Sequence, residues 1–404
     1  MTPEALKGLK VVDFSWIIAG PLTTRVLANY GATVIKVEST LRLDAERANP
    51  PFRNGIPGVN TSAYFTIYNT NKLGMGLNLK HPKAKQVSME LVKWCDVMIE
   101  NYTPGVMAKF GLDYESVKKI KPDIIMVSSS SYGQEGPYAN LPGLGHHTSA
   151  MAGFPHFTGW PDAHFPQRIG AYCDIITPYY SVAAILAALS RRRKTGQGCY
   201  IDIGLYESGV TFLAPAMLEY QLNNNLGGRR GNRDDNAVPH GVFQCQGNER
   251  WLAIAVGSEE EWQAFCKVSG HPEWTIDSHF ATFAARKKNE DMLERLISEW
   301  TKDHTSEDLF TLLNKAGVKA GMVQSAPDLL NDPQMQHRNF WWFQDHPEAG
   351  PHHVIGEGAI LSKTPAEQYM NSPCLGEHTS QICTEILKMP EEQFVDLLAD
   401  GVFE

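Results

Sequence analysis

The chain has 404 residues, 43% of them hydrophobic and 20% charged, which is typical of a soluble globular protein of roughly two to three domains. Its net charge of −9 argues against a general nucleic-acid binder, because such a protein needs a basic face. Seven cysteines without a C-x-x-C pair, and a first segment unlike a signal peptide, lead us to expect a cytoplasmic protein with reduced thiols. The longest apolar stretch, around residues 183–189, is expected to be too short to span a membrane.

Strands and helices alternate over the first 205 residues. Helical periodicity predicts helices at 22–30, 81–94 and 179–189. Short apolar runs predict strands at 10–14, 33–37, 96–99, 124–127 and 199–203. Strands separated by helices are typical of an α/β fold with a mainly parallel sheet, and ligands of such sheets collect at the carboxyl ends of the strands.

The second half of the chain has a different pattern of predicted elements. Residues 205–226 predict a long helix kinked at Pro215, followed by a glycine-rich loop at 227–236. A smaller α+β region then begins, in which Ser258 caps a helix together with Glu261. Its remaining predicted elements are strands at 250–256 and 317–323 and helices at 290–300 and 306–316. Long loops are expected after residue 325, and then a helix at 379–388.

Several common catalytic motifs are missing. The glycine pairs at 74–76 and 143–145 lack the third glycine of a dinucleotide fingerprint, and there is no Walker A, H-E-x-x-H or G-x-S-x-G sequence. The histidine pairs at 146–147 and 352–353 are neighbours on the chain, which favours loop histidines over metal ligands. We therefore expect no metal site.

Asp174 is the most informative single residue, because it precedes the apolar helix predicted at 179–189. A carboxylate at a helix start faces free backbone N–H groups and the positive end of the helix dipole, which keep it ionised. An ionised carboxylate can attack an activated acyl group. The alternative is an aspartate that only caps its helix.

Seven segments in order resemble the class III CoA-transferases, the family of formyl-CoA and carnitine CoA-transferases. They are Leu9–Phe14 with Ala19–Pro21, Gly31–Glu38, Asn69–Lys80, Asp96–Gly105, Tyr132–Pro137, the Asp174 helix and Arg230–Arg233. The resemblance implies an interlocked homodimer, each chain having a Rossmann-like large domain and a smaller α+β domain. The expected boundaries are 1–205 for the N-terminal part of the large CoA-binding domain, 206–236 for a linker helix and loop, 237–320 for the small domain, and 321–404 for the return linker and the rest of the large domain.

The resemblance also implies a reaction. Asp174 would attack the thioester of a donor acyl-CoA, giving a mixed anhydride and then an aspartyl-CoA thioester, from which the acceptor acid collects the CoA. Ile18 and Ala19 follow the first strand, where backbone N–H groups could bind the oxyanion. Several family members carry glutamine at the position of Ile18, so only the backbone can donate here.

Contacts to coenzyme A carry over from the family by position. Arg42 is expected to replace a phosphate-binding arginine that appears here as Ser39. The other expected CoA contacts are Leu77, Lys80, Asn101, Tyr102 and Lys109.

The acceptor acid is the least defined part of this interpretation. The expected pocket residues are Trp16, Tyr132, His146 and Tyr172, with Trp160 nearby. Such a pocket favours a bulky acid, for example an aryl-substituted dicarboxylate such as benzylsuccinate, with succinyl-CoA as a donor by resemblance. A carnitine-like or bile-acid-like acceptor stays open.

Two alternatives remain for the function. The same fold hosts α-methylacyl-CoA racemases, in which an acid and a histidine exchange the α-proton, but Leu144 stands at the position of that histidine here. The chain could also be a catalytically dependent subunit of a hetero-oligomeric CoA-transferase, and then it would need a second gene product for activity.

Overall fold

A computed structural model describes residues 4–167 and 169–404. Arg168, at the start of the segment that leads to Asp174, lies outside the described residues. The described chain divides into two compact units. The larger comprises residues 4–154, 169–225 and 333–404, and the smaller comprises 155–167 and 226–332.

The strands belong to three sheets. In chain order they are β1 (Lys10–Asp13), β2 (Thr33–Glu38), β3 (Lys72–Gly76), β4 (Val97–Glu100), β5 (Ile125–Ser130), β6 (Cys199–Gly204), β7 (His240–Gln244), β8 (Trp251–Ala255), β9 (Lys319–Met322), β10 (Trp341–His346) and β11 (Gly350–Ile355). The first six form one parallel sheet of order β3-β2-β1-β4-β5-β6. The other two sheets are antiparallel, β7-β8-β9 and β10-β11.

The helices lie mostly between the strands. They are α1 (Ala19–Asn29), α2 (Ala63–Thr66), α3 (Ala84–Trp94), α4 (Val106–Lys109), α5 (Tyr114–Lys118), α6 (Gly145–Met151), α7 (Phe154–Phe157), α8 (Tyr172–Thr195), α9 (Leu205–Phe212), α10 (Ala214–Asn223), α11 (Glu259–Val268), α12 (Phe283–Lys288), α13 (Glu290–Lys302), α14 (Ser306–Lys315), α15 (Ala326–Asn331), α16 (Pro333–His337), α17 (Thr379–Gln381) and α18 (Glu391–Ala399). Short 3₁₀ turns occupy Ala45–Ala48, Arg53–Gly55 and Pro272–Thr275, and Ile382–Ile386 is a π-helical turn.

Both faces of the parallel sheet are covered, because successive strand residues point to opposite sides. Val11 of β1 packs with Leu27 of α1 and Ile185 of α8. Its neighbour Val12 packs on the other face, in a cluster that includes Leu91 of α3 and Val402 near the C-terminus. This arrangement confirms the predicted α/β class with a mainly parallel, Rossmann-like sheet.

The smaller unit has a different core. Its three-stranded sheet packs with α11, α13 and α14 around stacked aromatic rings, including those of Trp262, Phe265 and Trp274. Ser258 caps α11 as predicted, since its side chain accepts a hydrogen bond from the N–H of Glu261 at 3.2 Å. The Glu261 carboxylate accepts a hydrogen bond from the N–H of Gly257.

Four element predictions are wrong in detail. The long helix expected at 205–226 is two helices broken at Leu213, because Pro215 has no N–H and fits only the first turn of α10. The loops expected after residue 325 contain α15, α16 and the β10–β11 hairpin. The helix expected at 379–388 is a short α-helical turn followed by a π-helical turn. The segment Lys72–Gly76, for which no strand was predicted, pairs with β2.

The helix α8 is longer than the apolar stretch expected around residues 183–189. It has 24 residues and includes a window of mean hydropathy 1.4, so by length and composition alone it could cross a membrane. The expectation that every apolar stretch is too short was therefore wrong for α8. Core helices meet the same criterion, and Ile185 and Leu189 of α8 are buried against the sheet.

Candidate active site

The parallel sheet reverses its direction of winding between β1 and β4, and a sheet of this type binds ligands at that point. The loops that follow these two strands are joined by a reciprocal pair of hydrogen bonds. The N–H of Trp16 donates to Oδ1 of Asn101 at 2.8 Å, and Nδ2 of Asn101 donates to the carbonyl oxygen of Trp16 at 2.7 Å. Two adjoining cavities open beside this junction, because Trp16 lines one and Asn101 lines the other.

Asp174 lies in the smaller of the two cavities, which we call the carboxylate cavity and which has a volume of about 90 Å³. It is the third residue of α8 and is 8% exposed. No side chain of the described residues forms a hydrogen bond to its carboxylate, which is therefore open to a ligand. The remaining lining residues are Ile17, Ile18, Ala19, Asn101, Ser129, Ser130, Ser131, Gly143, Leu144, Gly145 and Leu205.

Gly145 allows the carboxylate to sit where it does. A β-carbon built on Gly145 would lie 1.8 Å from Oδ2 of Asp174 and 2.5 Å from the β-carbon of Ala171. Real side chains do not approach so closely, so this position requires glycine as long as Asp174 keeps its rotamer.

Burial raises the pKa of Asp174 to about 7, with a smaller contribution from the nearby carboxylate of Glu46. The sequence led us to expect that the helix start would keep the group fully ionised. Desolvation outweighs the helix dipole here, because the side chain is removed from water and no hydrogen bond from the described residues compensates its charge. Near neutral pH the carboxylate is therefore divided between its protonated and ionised forms.

The N-terminus of α1 forms another wall of the carboxylate cavity. Ile18 is the N-cap residue, and the first bond of the helix runs from the N–H of Leu22 to the carbonyl oxygen of Ile18. In the described structure the N–H groups of Ile18, Ala19 and Gly20 have no acceptor, as is usual for a first turn. Ile18 and Ala19, at the positive end of this helix, thus line the same cavity as the buried carboxylate.

Ile17, just before this helix, has a strained backbone. Its φ is 66°, a left-handed conformation that β-branched residues rarely adopt and that costs about 1–3 kcal/mol. Its N–H donates to Oδ1 of Asp44 at 3.0 Å, which holds the residue in this conformation. The strain shows that the surrounding structure determines the shape of the loop.

A buried charge network supports the same loop. Lys36 pairs with Asp44 at 3.1 Å and Lys72 pairs with Asp13 at 3.0 Å, and all four side chains are 0% exposed. Lys36 also donates to the carbonyl oxygen of Ser15 at 2.7 Å. Although burial opposes it, the charges of Lys72 and Lys36 keep the pKa of Asp13 below its ordinary value.

The Asn69–Lys72 block has a structural role that its sequence did not reveal. Nζ of Lys72 donates to Oδ1 of Asn69 at 2.8 Å and to the carbonyl oxygen of Pro21 in α1 at 2.9 Å. The available signal was a lysine at the start of a short run with glycine and apolar residues, Lys72–Gly76, but its partner is 59 residues away in the chain.

The second cavity, which we call the basic cavity, has a volume of about 150 Å³. The guanidinium of Arg42 lies 4.7 Å from the centre of the Trp16 ring, and the rings of Trp16 and Tyr102 meet edge to face at 5.4 Å. Its lining residues are Trp16, Val37, Glu38, Ser39, Leu41, Arg42, Leu77, Asn78, Leu79, Lys80, Tyr102, Val106 and Phe110. It therefore combines two cations with aromatic and apolar surface, a combination suited to a phosphorylated ligand with an aromatic base.

Other predicted site residues lie outside the lining of both cavities. Lys109 is exposed on α4, and His146 is exposed on α6. Tyr172 packs edge to face against Phe154 at 5.1 Å. Tyr132 lines a separate cavity of about 350 Å³ together with Tyr180, Asp202 and Glu207. Trp160 belongs to the smaller unit, where it lies against Gly231.

Comparison with known proteins identifies the family. The family model described as CoA-transferase family III matches residues 6–379. The chain is 33% identical to mouse succinyl-CoA:glutarate CoA-transferase, covering 99% of this chain and 91% of the mouse protein. It is 30% identical to succinyl-CoA–D-citramalate CoA-transferase of Chloroflexus aurantiacus, covering 99% and 98% of the two chains.

A solved structure has the same fold. The CAIB/BAIF family protein from Brucella suis superposes with a TM-score of 0.87 at 34% sequence identity, covering 95% of this chain and all of that one. Because the match extends over nearly the whole chain at both levels, the protein belongs to CoA-transferase family III.

Proposed function

We propose that this CoA-transferase moves CoA from succinyl-CoA to a short dicarboxylic acid, with Asp174 as the covalent nucleophile. The observation that carries the proposal is the buried Asp174 carboxylate beside free N–H groups of α1 in one cavity. The donor follows from the relatives, since the mouse and Chloroflexus enzymes are both named for succinyl-CoA. The N–H groups of Ile18, Ala19 and Gly20 are the proposed donors to the oxyanion.

The reaction uses four acyl transfers. An Asp174 oxygen attacks the thioester carbon, and the C–S bond breaks to leave a succinyl-aspartyl anhydride and CoA thiolate. The thiolate attacks the Asp174 carbonyl carbon, releasing succinate and forming an aspartyl-CoA thioester. The acceptor carboxylate attacks this thioester to give a new anhydride and thiolate. The thiolate then attacks the acceptor carbonyl, which restores the Asp174 carboxylate and releases the new acyl-CoA.

The basic cavity is the proposed site for the nucleotide end of CoA. Arg42 and Lys80 would contact phosphates, and Leu77 and Tyr102 would contact apolar parts of the ligand. Asn101, which lines the carboxylate cavity, would stand beside the thioester end. Lys109 can contribute only long-range attraction, because it is exposed and lies outside the lining of this cavity.

The size of the carboxylate cavity favours a small acceptor. About 90 Å³ suits a short aliphatic dicarboxylate, and the names of the relatives include glutarate and D-citramalate. An aryl-substituted acid such as benzylsuccinate has less support, because Tyr132 and Tyr172 do not line this cavity. The racemase alternative also has little support, because among the lining residues the position of the base is Leu144 and none is a histidine.

We also propose that the chain acts in the cytoplasm as an interlocked homodimer. Large apolar side chains are exposed on α8 to α10, including Tyr179, Phe212, Leu218 and Leu222. Exposed apolar surface of this kind is typical of a subunit interface. A single purified chain that is inactive and gains activity with a second gene product would instead support a hetero-oligomer.

Trapping the covalent intermediate tests the proposal. The protein is incubated with succinyl-CoA without acceptor, reduced with borohydride, and digested for peptide mass spectrometry. We expect modification at Asp174, and turnover with glutarate faster than with oxalate or benzylsuccinate. Modification at another residue, or full activity of Asp174→Ala, would refute the assignment; a preference for benzylsuccinate would refute only the choice of acceptor.

A further inference from the structure

The carboxylate cavity contains a buried hydroxyl that has no partner. Ser129 is 3% exposed, it lines the cavity together with Asp174, and its Oγ forms no hydrogen bond in the described structure. A buried hydroxyl without a partner costs about 1–3 kcal/mol, so native structures seldom keep one without a use.

The direction of Ser129 follows from the strand that carries it. Val127 of β5 packs in the cluster that contains Leu27 of α1 and Ile185 of α8. Side chains two residues apart on a strand point to the same face, so Ser129 also faces α1 and α8. Asp174 belongs to α8, and the free N–H groups belong to α1.

Neighbouring serines on β5 have different environments. Ser128 points to the opposite face, where its hydroxyl partly offsets the rise that burial causes in the pKa of the Glu100 carboxyl. Ser130 is also buried and unpartnered and also lines the carboxylate cavity, but its side chain is two residues from that of Ser128 and so points to the same face as Ser128. Of the buried hydroxyls on this strand, Ser129 alone combines a free Oγ with the face of the nucleophile.

Ser129 and Asp174 line one cavity without a hydrogen bond between them. The Ser129 hydroxyl is therefore not engaged by the carboxylate that lines the same cavity. When a carboxylate oxygen attacks a carbonyl carbon, the electron pair of the C=O bond moves to oxygen, and this oxyanion is stabilised by hydrogen-bond donors.

We propose that the Ser129 hydroxyl is a further catalytic group, which donates a hydrogen bond to the oxyanion of each tetrahedral adduct formed at Asp174. It acts together with the α1 N–H groups and supplies a side-chain donor that Ile18 cannot supply. No proton is transferred: the oxyanion collapses, the C–S or C–O bond breaks, and Ser129 keeps its hydrogen throughout. The inference rests on the proposed Asp174 reaction and adds a residue to it.

Single-turnover kinetics test this role. Wild type, Ser129→Ala, Ser129→Thr and the matched control Ser128→Ala are each mixed with succinyl-CoA without acceptor. The rate of covalent modification of Asp174 is followed by quenched-flow mass spectrometry, the affinity for free CoA by calorimetry, and stability by thermal unfolding.

We expect Ser129→Ala to slow modification about 100-fold, as for the loss of one oxyanion donor, with CoA affinity unchanged. Its unfolding midpoint should equal or exceed that of wild type, because an unpaired buried hydroxyl has been removed. Ser129→Thr keeps a hydroxyl and should react faster than Ser129→Ala, and Ser128→Ala should react at nearly the wild-type rate.

Modification of Ser129→Ala at the wild-type rate would overturn the inference and leave the Asp174 reaction intact. A lower unfolding midpoint for Ser129→Ala would also overturn it, because the hydroxyl would then support the fold. If wild type transfers CoA and Asp174 is never modified, the proposed function fails and this role fails with it.

Discussion

The two units of the chain place their charges differently. The larger unit buries four ion pairs whose side chains are at most 6% exposed: Arg25–Glu357, Lys36–Asp44, Arg47–Glu38 and Lys72–Asp13. The smaller unit has an aromatic core and keeps most of its ion pairs near the surface, as with Lys319 and Glu261 at 67% and 18% exposure. Both units fold compactly, so buried ion pairs are not a general requirement for folding this chain.

The difference indicates what the buried charges do. Removing an ion from water costs several kcal/mol, and the attraction within a pair often does no more than offset this cost. In the larger unit, Lys36 and Asp44 bond directly to the loop 15–17 at the carboxylate cavity, and Lys72 anchors the start of α1. The gain is therefore in the position of these backbone groups.

The largest predicted effect is on activity. It compares removal of an aspartate at the same helix position in each of the two units. Asp174 is the third residue of α8, and Asp308 is the third residue of α14, where it is exposed and accepts a hydrogen bond from Thr305. Asp174→Ala should reduce CoA transfer at least about 10⁴-fold, as for loss of a nucleophile, without loss of stability. Asp308→Ala should leave transfer unchanged and lower the unfolding midpoint slightly. Steady-state assays measure the activity of both variants, and thermal unfolding measures their stability. An equal loss of activity in the two variants would contradict the prediction.

The next largest effect compares one buried and one exposed lysine. Lys72→Met removes the ion-pair partner of the buried Asp13 carboxylate, so the free energy of unfolding should fall by about 3–5 kcal/mol. Lys319→Met breaks an exposed pair and should change it by less than about 1 kcal/mol. Urea unfolding at one pH measures both values. Similar losses would show that burial does not distinguish these pairs.

The third prediction compares two glycines, one packed against the Asp174 carboxylate and one beside open space. Gly145→Ala forces the Asp174 carboxylate away from its position, so kcat/KM should fall about 100-fold, as for a misplacement of about 1 Å. Gly321→Ala, on β9 of the smaller unit, adds a methyl group to open space and should be silent. Kinetics and thermal unfolding of both variants check this. A fully active Gly145→Ala enzyme would mean that Asp174 has another productive rotamer.

The smallest effect is on pH dependence. Since the pKa of Asp174 is raised to about 7, kcat/KM should rise about tenfold per pH unit below pH 7 and level off above it. The contribution of Asp174 to the free energy of unfolding changes with pH in the opposite direction. The folded state keeps the Asp174 proton to a higher pH than the unfolded chain does. The stabilisation is therefore fully present below about pH 4 and is lost as pH rises through 7.

The difference in unfolding free energy between wild type and Asp174→Ala isolates this contribution, because the pKa of buried Glu100 is also raised, by burial, to about 7 in both proteins. A flat rate profile between pH 5 and 8 would contradict a raised pKa at Asp174.

Much of the larger unit could be predicted from local sequence. Hydrophobic runs such as Val11–Phe14 and Ile124–Val127 carry their own signal. The rule that ligands bind at the carboxyl ends of parallel strands pointed to the edge of the sheet where the two cavities lie. The expected contacts Arg42, Leu77, Lys80 and Tyr102 do share one cavity.

The buried charges could not be predicted in this way. Lysine is normally a surface residue, and nothing near Lys36 or Lys72 in the sequence identifies a partner. The strand β3 was missed because its two glycines weaken the strand pattern, and it is stabilised by pairing with β2 and by the distant segment that includes Pro373. The raised pKa of Asp174 depends on burial, which a helix-start pattern does not reveal.

The reciprocal hydrogen bonds between Trp16 and Asn101 link the two cavities. The ring of Trp16 stacks on Arg42 in the basic cavity, while its backbone is tied to Asn101 in the carboxylate cavity. We propose that contacts made by the CoA nucleotide in the basic cavity align the residues of the carboxylate cavity through this link. Binding energy from a distant part of the substrate then lowers the barrier of the chemical step. We therefore expect a donor truncated to its pantetheine arm to show a lower kcat as well as weaker binding.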